Sequence, residues 1–396
     1  MKNAIHTSLL LVSLSLLFSC QGEDSLPVQL PDDHDLITFT ASAKQGATRA
    51  TEGYETYNPA LHPASMGVFG YCNLTTNNTT AEPGSEGVTT LYDNSNIFYD
   101  TENKKWKHAN PADAKYWPDY AWSQTFDFVA YMPYHANAEG EAAAPAASFV
   151  KTGEADQFLL SFPVTLTKSL DSSDPCPVIT DTRQAPAISN APVNMTAAGE
   201  QVHLLFDQTL TGYRLRFRLD ATMGAIRHFR ISSVTLSGDA LPFSGIVSRT
   251  YKKTEAGWTS GDVTWAAENI KTQQFAPFSL AYQNNGEADP CYDDTGKTLV
   301  VKSDIARQWG PLFYAIPAAT FTPAISVTYD AELVDENGSN VKTRENITST
   351  IVLNKTNFKN LTSRAGSIST IDILIQPRYL YVISDEDKYT GHLLIE

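Results

Sequence analysis

Few residues of this 396-residue chain stand in settings that do chemistry, and Cys20 is the first of them. Residues 1–20 read MKNAIHTSLLLVSLSLLFSC. Lys2 gives a positive start, residues 9–18 form an apolar run, and Leu17-Phe18-Ser19-Cys20 closes it. The run is too short to cross about 30 Å of hydrocarbon as a helix. Its make-up is that of a secretory signal segment. A cysteine directly after such a run reads as a lipobox, in which Cys20 is acylated and becomes the first mature residue. Several acyl chains anchor stably, because each buried CH2 adds about 0.8 kcal/mol. The competing reading is an ordinary signal peptide that contains a cysteine. Glu23, Asp24, Asp32, Asp33 and Asp35 follow closely, either as a surface-export signal or as a solvated tether.

The search for catalysis and metal binding is negative. Cys72, Cys176 and Cys291 are far apart, with no CxxC or Cys/His spacing, and read as small buried thiols. None of the eight histidines stands two or four residues from another, so no metal-ligand pair on one element is suggested. There is no GxSxG, HExxH, GxGxxG or P-loop. Asp293-Asp294 and Asp385-Glu386-Asp387 lack the alternating ligands and glycine of a calcium loop. Tyr116-Trp117-Pro118-Asp119-Tyr120-Ala121-Trp122 keeps three readings open. Tyr116, Trp117 and Trp122 fill a core, stack on a sugar, or contact a partner.

Composition narrows the classes. The chain carries 29 Lys+Arg against 44 Asp+Glu, a net charge of −15. Such a balance repels phosphate and excludes a nucleic-acid binder. With 42 % hydrophobic residues, 18 Tyr, 18 Phe and 6 Trp, the chain has filler for packed cores and is not disordered.

The elements that must position these residues are strands. Short β-prone runs at 36–41, 66–71, 89–92, 97–99, 104–108, 126–131 and 158–166 are separated by Gly, Pro, Asn and Asp clusters. Tyr213, Leu215, Phe217 and Leu219 alternate with Arg214, Arg216 and Arg218, which predicts one buried and one wet face. Further runs lie at 231–236, 298–302, 312–316, 325–333, 348–353, 368–375, 379–383 and 392–395. No amphipathic helix of useful length occurs. The pattern predicts an all-β protein of sandwiches, and the chain beyond Arg49 is too long for one sandwich of about 100 residues. The Ala-, Pro- and Asn-rich stretch 186–199 divides two strand-dense halves.

Five segments, taken in order, resemble the fimbrillin family of Bacteroidetes surface lipoproteins, the subunits of type V pili. They are the lipobox at Cys20; Ile37-Thr38-Phe39; Ala47-Thr48-Arg49-Ala50; the block from Tyr116-Trp117-Pro118 to Phe126-Asp127-Phe128-Val129-Ala130-Tyr131-Met132-Pro133; and 202–210 running into 213–219. Where the family carries an Asp-Leu-Leu run, this chain has Asp174-Pro175-Cys176-Pro177-Val178-Ile179. The resemblance implies two transthyretin-like β-sandwich domains, at 50–196 and 197–396. Ahead of them stand a signal peptide at 1–19 and a lipid-anchored linker with a removable first strand at 20–49. A trypsin-like protease would cut at Arg49-Ala50, free that strand and open a groove. A strand of another subunit would fill it, offering Tyr379, Tyr381 and Ile383, or Leu393 and Ile395, on one face. The family places such a chain at the outer membrane and in the fimbrium. Its partners are other fimbrial subunits, the membrane lipid reached through Cys20, and surface ligands of host or bacterium. It implies no cofactor and no active site. Against this, Arg49 reads as a plain linker residue and 379–396 as the last strand of its own domain. The chain then is a non-polymerising surface lipoprotein that binds glycans.

Overall fold

The computed structural model describes residues 36–44, 54–59, 62–73, 88–117, 125–136, 146–154, 156–166, 176–181, 201–254, 257–286, 289–318, 321–358, 364–376 and 379–383. Among them the regular structure is strand, apart from two single-turn 3-10 segments, and the chain is all-β. The first half forms β1 (Phe39–Lys44), β2 (Tyr54–Thr56), β3 (Ser65–Asn73), β4 (Val88–Asp100), β5 (Lys105–His108), β6 (Thr125–Met132), β7 (Ser148–Lys151), β8 (Gln157–Thr165), β9 (Val178–Thr180) and β10 (Val202–Gln208). Next come β11 (Thr211–Leu219), β12 (Arg227–Thr254), β13 (Gly257–Trp265), β14 (Lys271–Ser279), β15 (Tyr292–Asp293) and β16 (Thr298–Val301). The last are β17 (Arg307–Gln308), β18 (Phe313–Ala315), β19 (Ala324–Val334), β20 (Asn340–Val352), β21 (Ile368–Gln376) and β22 (Tyr379–Ile383).

These strands make three sheets. The first runs β2-β1-β10-β9-β6-β3-β4-β5. The second runs β17-β11-β21-β22, with β18 also on β11. The third runs β15-β16-β12-β19-β20, with β8, β13 and β14 also on β12, and β7 on β8. Sheet membership crosses residue 196 in both directions. β10 follows that point yet joins the first sheet, and β7–β8 precede it yet join β12.

β11 follows its alternation. Tyr213, Leu215, Phe217 and Leu219 are buried while the arginines are partly exposed. Arg216 reaches the facing Asp372 of β21 with both guanidinium arms, at 2.5 and 2.6 Å. β6 reads as an almost unbroken apolar run because both its faces are buried. Phe126, Phe128, Ala130 and Met132 enter a smaller core with β1, β4 and β10. Val129 and Tyr131 enter a larger core that extends to β11, β12, β19 and β21. Gly70 of β3 lies where no side chain fits: an added Cβ would come within 2.7 Å of Tyr92 and 2.9 Å of Phe128. The three thiols of Cys72, Cys176 and Cys291 are buried.

β12 is where sequence and structure part. It runs through Gly238 and Pro242 with register shifts against β14 near both. Bulges let a strand bend past residues that would otherwise end it. β14 is exposed along most of its length, so it carries no period-two signal, and its pairing with β12 is a tertiary effect.

Candidate strand-exchange site

The site is built from β1 outward. Ile37, Phe39, Ala41 and Ala43 alternate inward and are 5 % exposed or less. The Phe39 ring meets Tyr92 at 5.7 Å and Phe128 at 5.8 Å, both edge-on. Edge-to-face pairs at such distances add to simple burial. His108 completes this wall, 6.4 Å from Phe39 and stacked on Tyr92 at 5.5 Å. Burial pushes the His108 imidazole below its ordinary value.

The backbone of β1 is held on both sides. It pairs in parallel with β10, from Phe39 opposite Val202 to Ala43 opposite Phe206. From Ser42 to Lys44 it pairs antiparallel with β2. Val202 N–H donates to Thr38 C=O at 2.8 Å, Tyr57 N–H to Ala41 C=O at 3.1 Å, and Ile37 N–H to Lys115 C=O at 2.9 Å. On the other face His203 sits between Thr40 Oγ1, 2.6 Å from Nδ1, and Ser42 Oγ, 3.2 Å from Nε2. Burying Ile37 and Phe39 contributes about 3–6 kcal/mol, at roughly 1.5–3 kcal/mol per side chain. A domain with about 5–15 kcal/mol in all does not lose that much and leave the slot empty.

β10 is what such a loss would leave bare, and it is fastened from behind. Arg249 of β12 is fully buried. Its guanidinium donates to Asp207 Oδ2 of β10 at 2.8 Å and to Asp181 Oδ1 at 3.2 Å. It also donates to the carbonyls of Thr180 at 2.8 Å and Gly261 at 2.9 Å. Ser260 Oγ–H donates to Asp181 at 2.6 Å. A second pair, Lys253 of β12 with Asp127 of β6, closes at 2.8 Å. Breaking a buried pair costs about 3–5 kcal/mol, because the remaining charge is stranded. Together these contacts hold the first sheet to the third. The sequence signal was a carboxylate inside an apolar run, at Phe126-Asp127-Phe128 and Phe206-Asp207. Partners 42 and 126 positions away gave no local sign.

The C-terminal segment is placed in part. β22 pairs antiparallel with β21, from Tyr379 opposite Gln376 to Ile383 opposite Asp372, at the end of its sheet's order. In this structure its partner is therefore its own chain. Leu393, Ile395, Cys20, Arg49, Ala50 and Trp122 lie outside the described residues. Trp117 is 9 % exposed and packs edge-on against Phe126 and Phe128. Tyr116, bridged to Leu36, is 40 % exposed. Among the described residues no group of three or more His, Cys, Asp or Glu could hold a metal ion. None of the described helices is long and apolar enough to cross a membrane.

No family model matches the chain, and no curated protein matches it. Solved structures do. One is a fimbrial protein from Bacteroides vulgatus ATCC 8482, at 16 % identity and a TM-score of 0.43, over 88 % of this chain and 98 % of that one. Another, a candidate cell adhesion protein from Bacteroides uniformis ATCC 8492, has 14 % identity and a TM-score of 0.37, over 88 % and 96 %. A third, a candidate cell adhesion protein from Bacteroides ovatus ATCC 8483, has 12 % identity and a TM-score of 0.38, over 88 % and 95 %.

Proposed function

We propose that this chain is a structural or adhesive subunit of a cell-surface fimbrium, exported as a lipoprotein through Cys20. Assembly follows proteolysis at Arg49-Ala50, which releases the segment that carries β1. The observation behind this reading is the placing of β1. With Ile37 just ahead of it, it plugs a slot in the first sheet through the inward Phe39, Ala41 and Ala43, and the linker that carries Arg49 ties it to the body. Without β1, the inner faces of Tyr92, Phe128, Leu204 and Phe206 and one edge of β10 are left for another strand. Main-chain hydrogen bonds then supply affinity and the pockets supply selection. A head-to-tail contact of this type does not close and gives a filament. The donor is the segment 379–396 of a neighbouring subunit, detached from β21 or continued beyond it.

Glycan binding through Tyr116, Trp117 and Trp122 is the weaker reading, because the Trp117 ring is committed to Phe126 and Phe128.

The experiment is to treat purified chain with an arginine-specific protease and follow mass and particle shape. A single early cut after Arg49, followed by filaments in electron micrographs, is the expected result. Resistance at Arg49, or a cut product that stays monomeric, removes the strand-exchange reading.

A further inference from the structure

The two buried ion pairs that join the first sheet to β12 differ in chemistry. A guanidinium is not a nucleophile, and the Lys253 amine is. Lys253 Nζ stands 2.8 Å from Asp127 Oδ2. The two side chains are 3 % and 8 % exposed. They sit on regular strands of different sheets, so neither end is free to drift.

The surroundings are apolar and aromatic. Trp258 faces Lys253 across the β12–β13 register, with its ring centroid 5.3 Å from Nζ. Phe158 packs edge-on against Trp258 at 5.5 Å. Tyr71 of β3 lies opposite Asp127 in register. Charge is costly in such a place. Burial pushes the Asp127 carboxyl up, against the pull of the Lys253 ammonium. The neutral pair is an amine held against a carboxylic acid, the two reactants of an amide. Fixing them in contact replaces a bimolecular encounter, and effective molarities for well-oriented pairs reach about 10⁵–10⁸ M.

We propose that Lys253 and Asp127 join in an intramolecular isopeptide bond. The Nζ lone pair attacks Asp127 Cγ. The Nζ–Cγ bond forms, one Cγ–O bond breaks, and that oxygen leaves as water with two protons, one from the acid and one from the amine. Nothing is oxidised or reduced, and no further reactant enters. The product is a covalent strut between β6 and β12, across the same seam that Arg249 holds by charge.

Intact mass under denaturing conditions, followed by peptide mapping of the folded full chain, tests this. The expected mass is below that of the processed sequence by one water, and the peptides carrying Asp127 and Lys253 emerge as one branched species. Lys253→Arg keeps the charge and is expected to restore the full mass. Asp127→Asn is expected to lose ammonia instead and arrive at the same branched product. Full mass with two linear peptides in the wild-type chain overturns the proposal. So does a missing water with both peptides still linear, since that water left from elsewhere.

Discussion

β1 and β22 are short strands of six and five residues near opposite ends of the chain, and they are held in opposite ways. β1 is hydrogen-bonded on both sides and, with Ile37 just ahead of it, sends Phe39, Ala41 and Ala43 into a core. β22 is bonded on one side, at the end of its sheet's order. A strand of the first kind leaves only when the chain is cut and something replaces it. A strand of the second kind can change partner by peeling one ladder. On the proposed reading, β1 keeps a slot filled and β22 belongs to the segment that fills one.

Four measurements bear on that contrast. Hydrogen exchange carries the largest expected effect. Opening free energies range from near zero at frayed edges to the global value in core strands, so the amides of β1 should exchange about a thousandfold more slowly than those of β22. Equal rates would erase the distinction. Next, Phe39→Ala should cost about 3–5 kcal/mol in denaturant unfolding, as large-to-small core changes with aromatic residues do. Ending the chain at Gln376 should cost less than that; a larger loss from the truncation would reverse the assignment.

Acidification tests the surroundings of β1. His62 is buried beside Tyr57, the residue that bonds Ala41, and burial pushes its imidazole down from 6.5 to about 4. The unfolded chain therefore binds this proton more tightly than the folded one. Stability is whole above pH 6.5 and falls as pH drops from there toward about 4, by up to about 3 kcal/mol at 1.36 kcal/mol per unit. His62→Gln should flatten that slope in urea titrations repeated across the range. The smallest effect belongs to Thr40→Val, which removes the 2.6 Å contact with His203 and should cost about 1 kcal/mol. An unchanged midpoint would show that only the inner face of β1 matters.

The sequence made some of this legible and hid the rest for physical reasons. Period-two alternation exposed β11, whose one face is wet, and the apolar run 126–131 exposed β6. β13 and β14 were silent because their places depend on pairing with β12 rather than on their own pattern. The interleaving of β7–β8 and β10 between sheets could not be read either, since partners distant in sequence leave no local mark. At the site, the β-prone run ahead of Ser42 was visible, but the buried seam of Asp127, Asp181, Asp207, Arg249 and Lys253 was not. Asp127 and Asp207 stand out only as carboxylates inside apolar runs, and their buried partners Arg249 and Lys253 lie far off in sequence.

The central claim is that loss of β1 creates the acceptor for the C-terminal segment of another copy. A labelled synthetic peptide of residues 377–396 tests it directly, titrated against the full chain before and after arginine-specific cleavage. Binding to the cleaved chain alone, displaced by a peptide of residues 36–49, is the predicted result. Equal binding before and after the cut, or none in either state, would contradict the account.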